Sequence, residues 1–419
     1  GAACMDDGNP CTNDLCDGSG GCIHPAALAG TPCGDPAWTA CTRPDTCDGA
    51  GTCRPNHEPA GAPCPDAWFC NGLETCSGSG ACEPGPFPCQ PNETCNEDTD
   101  SCDVITDWYV APGDSIQEAI DAAFTAGGGV VHVAPGTYFE NITMQNNVKV
   151  LGAGAGTDPD WNTIINGDKD GDGQGDDAVV KAVNVDASAE IEGVFITSGS
   201  ALQGGGIFLD RAQVRIRDCW IHGNTADSGG GIFSTGADPL LVNCIISGNA
   251  ADYGGGIAVG AASNPVLINC TVVNNTALYQ GGGLYTESSG SIRNSILWGS
   301  SPDSVYGNPD ITFSDVQGGF PGTGNLDQSP WFVDIDNADY HLQAGSPCLD
   351  AGSNDAVPEE ITEDFLGLDR IMDSDGNQAA VVDMGAFETP STGLRISGYV
   401  RAGQVGDHST PLADVTVAL

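Results

Sequence analysis

The residues in this chain best suited to chemistry are the aspartates of one short loop. From 168 to 177 the sequence reads Asp-Lys-Asp-Gly-Asp-Gly-Gln-Gly-Asp-Asp, with carboxylates at alternate positions and glycines between them. Such a stretch turns tightly and brings hard oxygen ligands together, so Asp168, Asp170, Asp172, the Gln174 carbonyl and Asp176 are expected to hold calcium. Position twelve, where an EF-hand loop carries a bidentate glutamate, is Val179. The competing reading is a solvated acidic loop. A second, weaker set comprises Asp373, Asp375, Asn377 and Asp383, which would pin the end of the domain with another cation.

Cysteine is the other reactive side chain in quantity. Fifteen of the 19 cysteines lie between 4 and 102, a density that persists only where disulfides are stable. They align as repeats: Cys4, Cys11, Cys16, Cys22; Cys33, Cys41, Cys47, Cys53; Cys64, Cys70, Cys76, Cys82; and a defective copy, Cys89, Cys95, Cys102. Each full copy could close two bridges, and spacing alone does not choose among the pairings. The odd thiol left by the fourth copy could pair with Cys348, with a neighbouring chain or with nothing. Zinc is a poor alternative, because histidine is nearly absent here and paired C-x-x-C knuckles are missing.

The elements that must position the aspartate loop are announced by a repeat. Cys219, Asn224 and Gly229-Gly230-Gly231-Ile232 recur as Cys244, Asn249 and Gly254-Gly255-Gly256-Ile257, then as Cys270, Asn275 and Gly281-Gly282-Gly283-Leu284. Gly204-Gly205-Gly206-Ile207 is a forerunner without a cysteine. A period of 25 to 27 residues with strand-like alternation inside each copy predicts a solenoid of stacked β-coils. Aligned copies give inward columns: Ile216, Leu241, Leu267, Ile292; Cys219, Cys244, Cys270, Ser295; and Ile221, Ile246, Val272, Leu297. At ~25 residues per coil and ~4.8 Å between strands, about ten coils and ~50 Å of length are expected. The cysteine column reads as small apolar packing, and Asn224, Asn249 and Asn275 read as an amide ladder at a turn.

Between the inward columns fall Val242, Ile245, Ile268, Val273, Ile296 and Trp298, which should face out and form an apolar contact strip. The alternative is that the cysteine-rich segment or the C-terminal strands fold back over it. Ahead of the coils, Ile116, Ala119, Ile120 and Ala123 lie at helical spacing behind an acidic or serine N-cap, predicting a short helix that closes the stack.

Composition bounds the partners. Against 57 acidic residues stand only 12 basic ones, a net charge of −45 that makes nucleic acid and anionic membranes unfavourable partners and cations favourable ones. No apolar run is long enough to span a bilayer, so membrane insertion is not expected. With the cysteines, this predicts a secreted or surface-displayed protein whose leader has been removed.

Several motifs resemble known families. The helix, the Val-His-Val-Ala-Pro-Gly-Thr-Tyr strand at 131–138 and the Leu-Gly-Ala-Gly turn at 151–154 resemble, in that order, the pectate-lyase-like right-handed parallel β-helix. The Gly-Gly-Gly-Ile repeats are similar to those of polymorphic outer-membrane proteins. The end of the domain is similar to the closing motif of bacterial choice-of-anchor β-helix proteins. It runs from Asp339-Tyr340-His341-Leu342 through Gly367-Leu368-Asp369-Arg370 to Asp383-Met384-Gly385-Ala386-Phe387-Glu388. The N-terminal copies resemble cysteine-rich repeats of environmental bacteria, and the 168–177 loop resembles the shorter calcium loops of thrombospondin-type repeats. These resemblances imply a right-handed parallel β-helix at 105–388 between a disulfide arm at 1–104 and a C-terminal segment at 389–419. The last of these contains two strands similar to the start of a transthyretin or carboxypeptidase-regulatory sandwich.

Catalysis has little support in the sequence. Lyases on this fold need a base beside calcium and a cationic groove, but Arg215, Arg217 and Arg293 are the basic residues of the regular coils, and His222-Gly223 alone is a weak hydrolase signal. The expectation is therefore an extracellular structural or adhesive protein that assembles with copies of itself through terminal β elements. The alternatives are a secreted calcium-dependent polysaccharide lyase or hydrolase and a glycan-binding module. For the module, Trp220, Tyr253, Tyr279 and Trp298 would form the platform.

Overall fold

The computed structural model describes residues 5–64, 70, 72–86, 88–89, 93–96, 101–173, 175, 177–374, 376–377 and 379–390. Cys4, Gln174, Asp176, Asp375 and the C-terminal strands expected at 394–401 and 413–419 lie outside the described residues. The chain divides into two units, Gly1–Ile105 and Thr106–Leu419.

The first unit is a series of small hairpins: Leu15–Cys16 with Cys22–Ile23, Thr42–Cys47 with Cys53–His57, Thr75–Cys76 with Cys82–Glu83, and Glu93–Asn96 with Ser101–Val104. A side chain before the glycines sets the first three turns. The Asp17 carboxylate accepts from the Ser19 and Gly21 amides at 2.8 and 2.9 Å, and Asp48 accepts from Ala50 and Thr52 at 2.8 and 3.1 Å. The Ser77 hydroxyl does the same for Ser79 and Ala81. Those backbone bonds hold the Asp17 and Asp48 carboxyls below their ordinary range.

Bridging in this unit alternates between repeats rather than closing twice within each copy. Cys33–Cys53, Cys64–Cys82 and Cys89–Cys102 join the first and last cysteines of one copy. Cys11–Cys47, Cys41–Cys76 and Cys70–Cys95 join the second cysteine of one copy to the third of the next. The fourth copy's missing second cysteine follows from this pattern: such a cysteine bonds forward, and no further cysteine repeat comes after it. Cys348 takes no part, because it is buried in the other unit with its thiol donating to Asp315 at 3.3 Å.

The second unit is a parallel β-solenoid whose sheets contain nine, eight, seven and four strands. The eight-stranded sheet contributes one strand per coil, so there are eight turns rather than the ten expected from length, because 326–388 leaves the coil path. Registers match the repeat alignment: Ile216, Leu241, Leu267 and Ile292 are successive partners, as are Ile221, Ile246, Val272 and Leu297. All are 0 or 1 % exposed. Cys219, Cys244 and Cys270 are unbridged and 0 % exposed, and burial pushes the Cys219 and Cys244 thiols far above their ordinary range, so they serve as packing.

At one turn the asparagines stack. Asn224 Nδ2 donates to Asn249 Oδ1 at 3.1 Å, and Asn249 Nδ2 to Asn275 Oδ1 at 3.0 Å. The triple glycines lie directly over one another, with Gly205, Gly206 and Ile207 donating to Gly229, Gly230 and Gly231 carbonyls. The third glycine of the first three triplets makes room for the ladder: a Cβ on Gly231 would lie 3.0 Å from Asn249 Nδ2 and 2.6 Å from the Gly256 carbonyl.

The helix Ile116–Thr125 closes the N-terminal end of the stack, burying Ile116, Ile120 and Ala123 in the same core. Ser115 caps it by accepting from the Glu118 amide, and Glu140 adds a second cap by accepting from the Ile116 and Gln117 amides at 2.7 and 3.2 Å.

Candidate functional site

The aspartate loop connects the strand Thr163–Asn166 to Val180–Val183. Gly171 and Gly173 adopt φ +75° and +88°, a conformation that costs glycine nothing and curls the loop back on itself. Asp168 accepts from the Gly171 and Gly173 amides at 2.9 and 3.0 Å, and Asp170 accepts from the Asp172 amide at 3.1 Å. This places carboxylate oxygens of Asp168, Asp170 and Asp172 within 4.8 Å of one another. Three hard ligands on one turn form the kind of oxygen cluster that takes a divalent cation. Asp177, beyond them, pairs instead with Lys181.

Of the second expected set, Asp375 lies outside the described residues, and the others are placed as follows. Asp383 is 0 % exposed and its oxygens are occupied: Oδ1 accepts from the Asp350 amide at 2.7 Å, and Oδ2 from Ser374 Oγ and the Thr389 amide at 3.2 and 2.9 Å. Burial pushes its carboxyl up to about 6. Asp373 instead turns its own loop, accepting from the Gly376 and Asn377 amides. Asp383 thus serves as a buried hydrogen-bond acceptor inside the closing segment, apart from the exposed loop that Asp373 turns.

The expected contact strip is also corrected. Val242, Ile245, Ile268, Val273 and Ile296 do leave the coil on its outer side, yet they are only 0 to 8 % exposed, and Trp298 is half-buried. Residues of the closing segment cover them. Phe332, Tyr340, Leu342, Met384, Ala386 and Phe387 pack with Ile245, Val273 and Ile296 in a second core on the outside of the solenoid. An apolar strip left in water costs ~25 cal/mol per Å², and the chain covers it with its own last residues. Trp220 and Trp298 pack against that core too, with Trp220 Nε1 donating to Ser247 Oγ at 2.8 Å, which removes both from any open aromatic platform.

On the coil side, what locks the cover is carried by a repeat of its own. Immediately before each column cysteine or serine stands a residue with positive φ: Asp218 (49°), Asn243 (52°), Asn269 (52°) and Asn294 (50°). Asparagine and aspartate tolerate this region. The asparagine amides reach outward to carbonyls of the closing segment: Asn243 to Glu363 at 2.9 Å, Asn269 to Asp383 at 3.3 Å and Asn294 to Ser353 at 3.0 Å. Arg370, only 1 % exposed, completes the lock. It donates to Glu388 Oε1 at 2.5 and 3.0 Å, to the Ala386 carbonyl at 3.1 Å and to Asn243 Oδ1 at 3.3 Å. Burial pushes the Glu388 carboxyl up, with Arg370 pulling against it. Arg370 and Glu388 thereby form one buried clamp between cover and coil.

The arginines of the regular coils and His222 each have a partner. Arg217 lies 3.5 Å from Glu190 and 3.9 Å from Glu192, Arg293 lies 2.6 Å from Asp310, and Arg215 lies 3.7 Å from Glu360. His222 sits half-buried against Ser247 Oγ at 3.1 Å, and burial lowers its basicity.

Residues 172–316 match the family model of the right-handed β-helix region. The solenoid is a right-handed parallel β-helix. No curated protein matches the chain. Among solved structures it is similar to pectate lyase Pel9A, at 13 % identity over 68 % of this chain and 96 % of that one, with a TM-score of 0.32. It is also similar to Escherichia coli YbhC, at 14 % identity over 62 % and 81 % with a TM-score of 0.31. A pectin methylesterase from carrot is 16 % identical over 53 % and 83 %, with a TM-score of 0.27. Likenesses this distant carry nothing about the chemistry of this chain. Among the described residues no helix is long and apolar enough to cross a membrane, and the bridged cysteines fit an oxidising exterior.

Proposed function

We propose that this chain is an extracellular structural and adhesive surface protein, in which a calcium-stiffened β-helix presents its faces to a surface or to further copies of itself. The observation that carries the reading is the clamped cover. The outer face that could have offered an open groove is sealed by the closing segment, and its asparagines, Arg370 and Glu388 are spent on holding that seal. Polar groups buried for rigidity suit a scaffold more than a reactive cleft. Calcium bound by Asp168, Asp170 and Asp172 would neutralise part of a strongly acidic surface and fix the loop between two coils. Self-assembly would use β elements at the end of the stack away from the helix cap, where a strand edge can pair with a neighbour.

The test is a pair of measurements on the purified chain in millimolar calcium. Electron microscopy is expected to show ordered oligomers or filaments, and incubation with pectic polysaccharide is expected to release no unsaturated uronate. Monodisperse monomers at high concentration would remove the assembly part. Calcium-dependent uronate release would overturn the reading as a whole and favour a lyase.

A further inference from the structure

Successive coils set tyrosines beside one another on the outside of the solenoid. In the strand Leu284–Thr286 the flanking residues are buried and Tyr285 points outward, and the next coil's Val305–Tyr306 pairs with it in register, Tyr306 against Tyr285. Their rings stack 5.4 Å apart at an angle of 2°. Two further rings come from the four-stranded sheet, which adjoins this one across the triple-glycine turns. Tyr253 lies 5.1 Å from Tyr279, tilted by 30°, and 5.5 Å from Tyr285. The rings spend their faces on one another, and none of them belongs to either large hydrophobic core.

Two phenols held in contact are also two reactants held in contact. Tyr306 is 41 % exposed and Tyr285 half-buried, so an oxidant in solvent reaches both. The Tyr285 hydroxyl donates to Glu287 Oε1 at 2.8 Å. That hydrogen bond, with burial and the carboxylate's charge behind it, pushes the phenol up to about 12. At neutral pH Tyr285 is therefore a phenol whose proton is already shared with a base. Removing one electron from a phenol makes it strongly acidic, and Glu287 is in place to take the proton as the electron leaves.

We infer that Tyr285 and Tyr306 form an oxidative cross-linking site, at which a peroxidase acting with hydrogen peroxide joins the two rings and staples successive coils, with Glu287 accepting the first proton. Tyr285 gives one electron to the peroxidase and its proton to Glu287; Tyr306 gives one electron and passes its proton to water. The two phenoxyl radicals bond carbon to carbon, each at a position ortho to its oxygen. The hydrogen on each bonding carbon then moves to the oxygen of its own ring, which restores both phenols. Hydrogen peroxide takes up the two electrons and two protons and leaves as two waters. Register selects the pair, because strands bonded edge to edge replace the chance meeting of two radicals. Tyr253 and Tyr279 lack that register, since a β-bulge sets Tyr253 against Gln280. Tyr109 stacks on His132 rather than on a phenol, and Tyr138 and Tyr340 are buried. A bond between residues already aligned restricts the unfolded chain and asks little of the fold. The bridged cysteines fit an oxidising exterior, where such an oxidant acts. The inference goes beyond the adhesive reading and needs neither a receptor nor an assembly.

The test treats the dilute, full-length chain with a haem peroxidase and hydrogen peroxide, follows dityrosine fluorescence and maps the bond by peptide mass spectrometry. A cross-linked peptide pair containing Tyr285 and Tyr306, two hydrogens lighter than its parts, is expected in a chain that stays monomeric on a reducing gel. Tyr306→Phe keeps the ring, removes the phenol and should lower intrachain dityrosine about tenfold, while Tyr279→Phe should stay within about twofold. Glu287→Gln should slow its formation about fivefold at neutral pH, with water taking part of the proton transfer. Circular dichroism identical to that of the unsubstituted chain establishes that these variants keep the fold. Absence of dityrosine, a bond mapped to Tyr253 and Tyr279 instead, an unchanged yield in Tyr306→Phe or an unchanged rate in Glu287→Gln would overturn the inference. So would cross-links found only between chains and rising with concentration. The two proposals fail separately: ordered assemblies without this bond sink only the tyrosine assignment, whereas uronate release sinks the scaffold reading and leaves the tyrosine result standing.

Discussion

Replacing Asp218 with asparagine should make the protein more stable at neutral pH and remove part of its pH dependence. Asp218 opens the column of left-handed residues that precede the buried cysteines; the other positions, 243, 269 and 294, are asparagines. Its side chain is 21 % exposed, accepts from Asn243 Nδ2 at 3.0 Å and lies 3.7 Å from Arg217. Burial pushes the carboxyl up to about 7, against the pull of Asn243 and Arg217 and with help from Glu192 and Asp364. An unfolded aspartate titrates near ~3.9. Between those values the folded state therefore holds a proton that the unfolded chain has released. Stability from this group is full below about pH 4, declines as pH rises toward about 7 and is flat beyond. A shift of about three units at ~1.36 kcal/mol each gives ~4 kcal/mol as a ceiling, and partial exposure and solvent screening reduce the expectation to about 1–2 kcal/mol. Asp218→Asn keeps the shape, the left-handed preference and the acceptor. Thermal unfolding at pH 4.5 and pH 8 on both proteins supplies the double difference that isolates this residue from Asp383 and Glu388. The variant should gain about 1–2 kcal/mol at pH 8, a few degrees in Tm, and only about a quarter of that at pH 4.5. An equal change at both pH values, or a loss at pH 8, would refute the argument.

Three further perturbations follow from the geometry. Arg370→Met leaves Glu388 buried without its cation and should cost about 3–5 kcal/mol, read as lower Tm and faster hydrogen exchange confined to 326–388 and the strands beneath it. Gly256→Ala would place a Cβ 2.6 Å from the Gly283 carbonyl and 3.0 Å from Asn275 Nδ2, so it should cost ~1–3 kcal/mol in Tm while Gly318→Ala, which meets nothing within 4 Å, reports only the φ penalty. Calcium at a hundred times its dissociation constant should raise stability by ~2.7 kcal/mol, and Asp168→Ala with Asp170→Ala should abolish that gain while leaving the calcium-free Tm nearly unchanged.

The inner columns were legible because a constant repeat converts directly into register: once Cys219, Cys244 and Cys270 are aligned, Ile216 must sit under Leu241 and Leu267. The outward direction of Ile245 and Val273 was legible for the same reason. What covers them was not, since the contact between Asn243 and Glu363 spans 120 residues and joins a repetitive segment to one that has no period at all. The aspartate loop showed itself through alternation, whereas spacing gave no sign that Asp383 is fully buried and accepts from two backbone amides. The bridges defeated the sequence through their own regularity, because evenly spaced cysteines look alike whether they pair within a copy or with the next.

That alternation has a consequence for endurance. The loop closed by Cys11 and Cys47 overlaps the one closed by Cys41 and Cys76, which overlaps the one closed by Cys70 and Cys95, and Cys89–Cys102 carries the overlap onward. Every peptide bond from 11 to 102 therefore lies inside at least one covalent ring. A protease that nicks the arm anywhere in this stretch releases nothing, and a non-reducing gel of the nicked chain should still show a single band. Force applied along the arm is likewise caught by sulfur before the chain can pay out, a property suited to a tether exposed to shear and digestion.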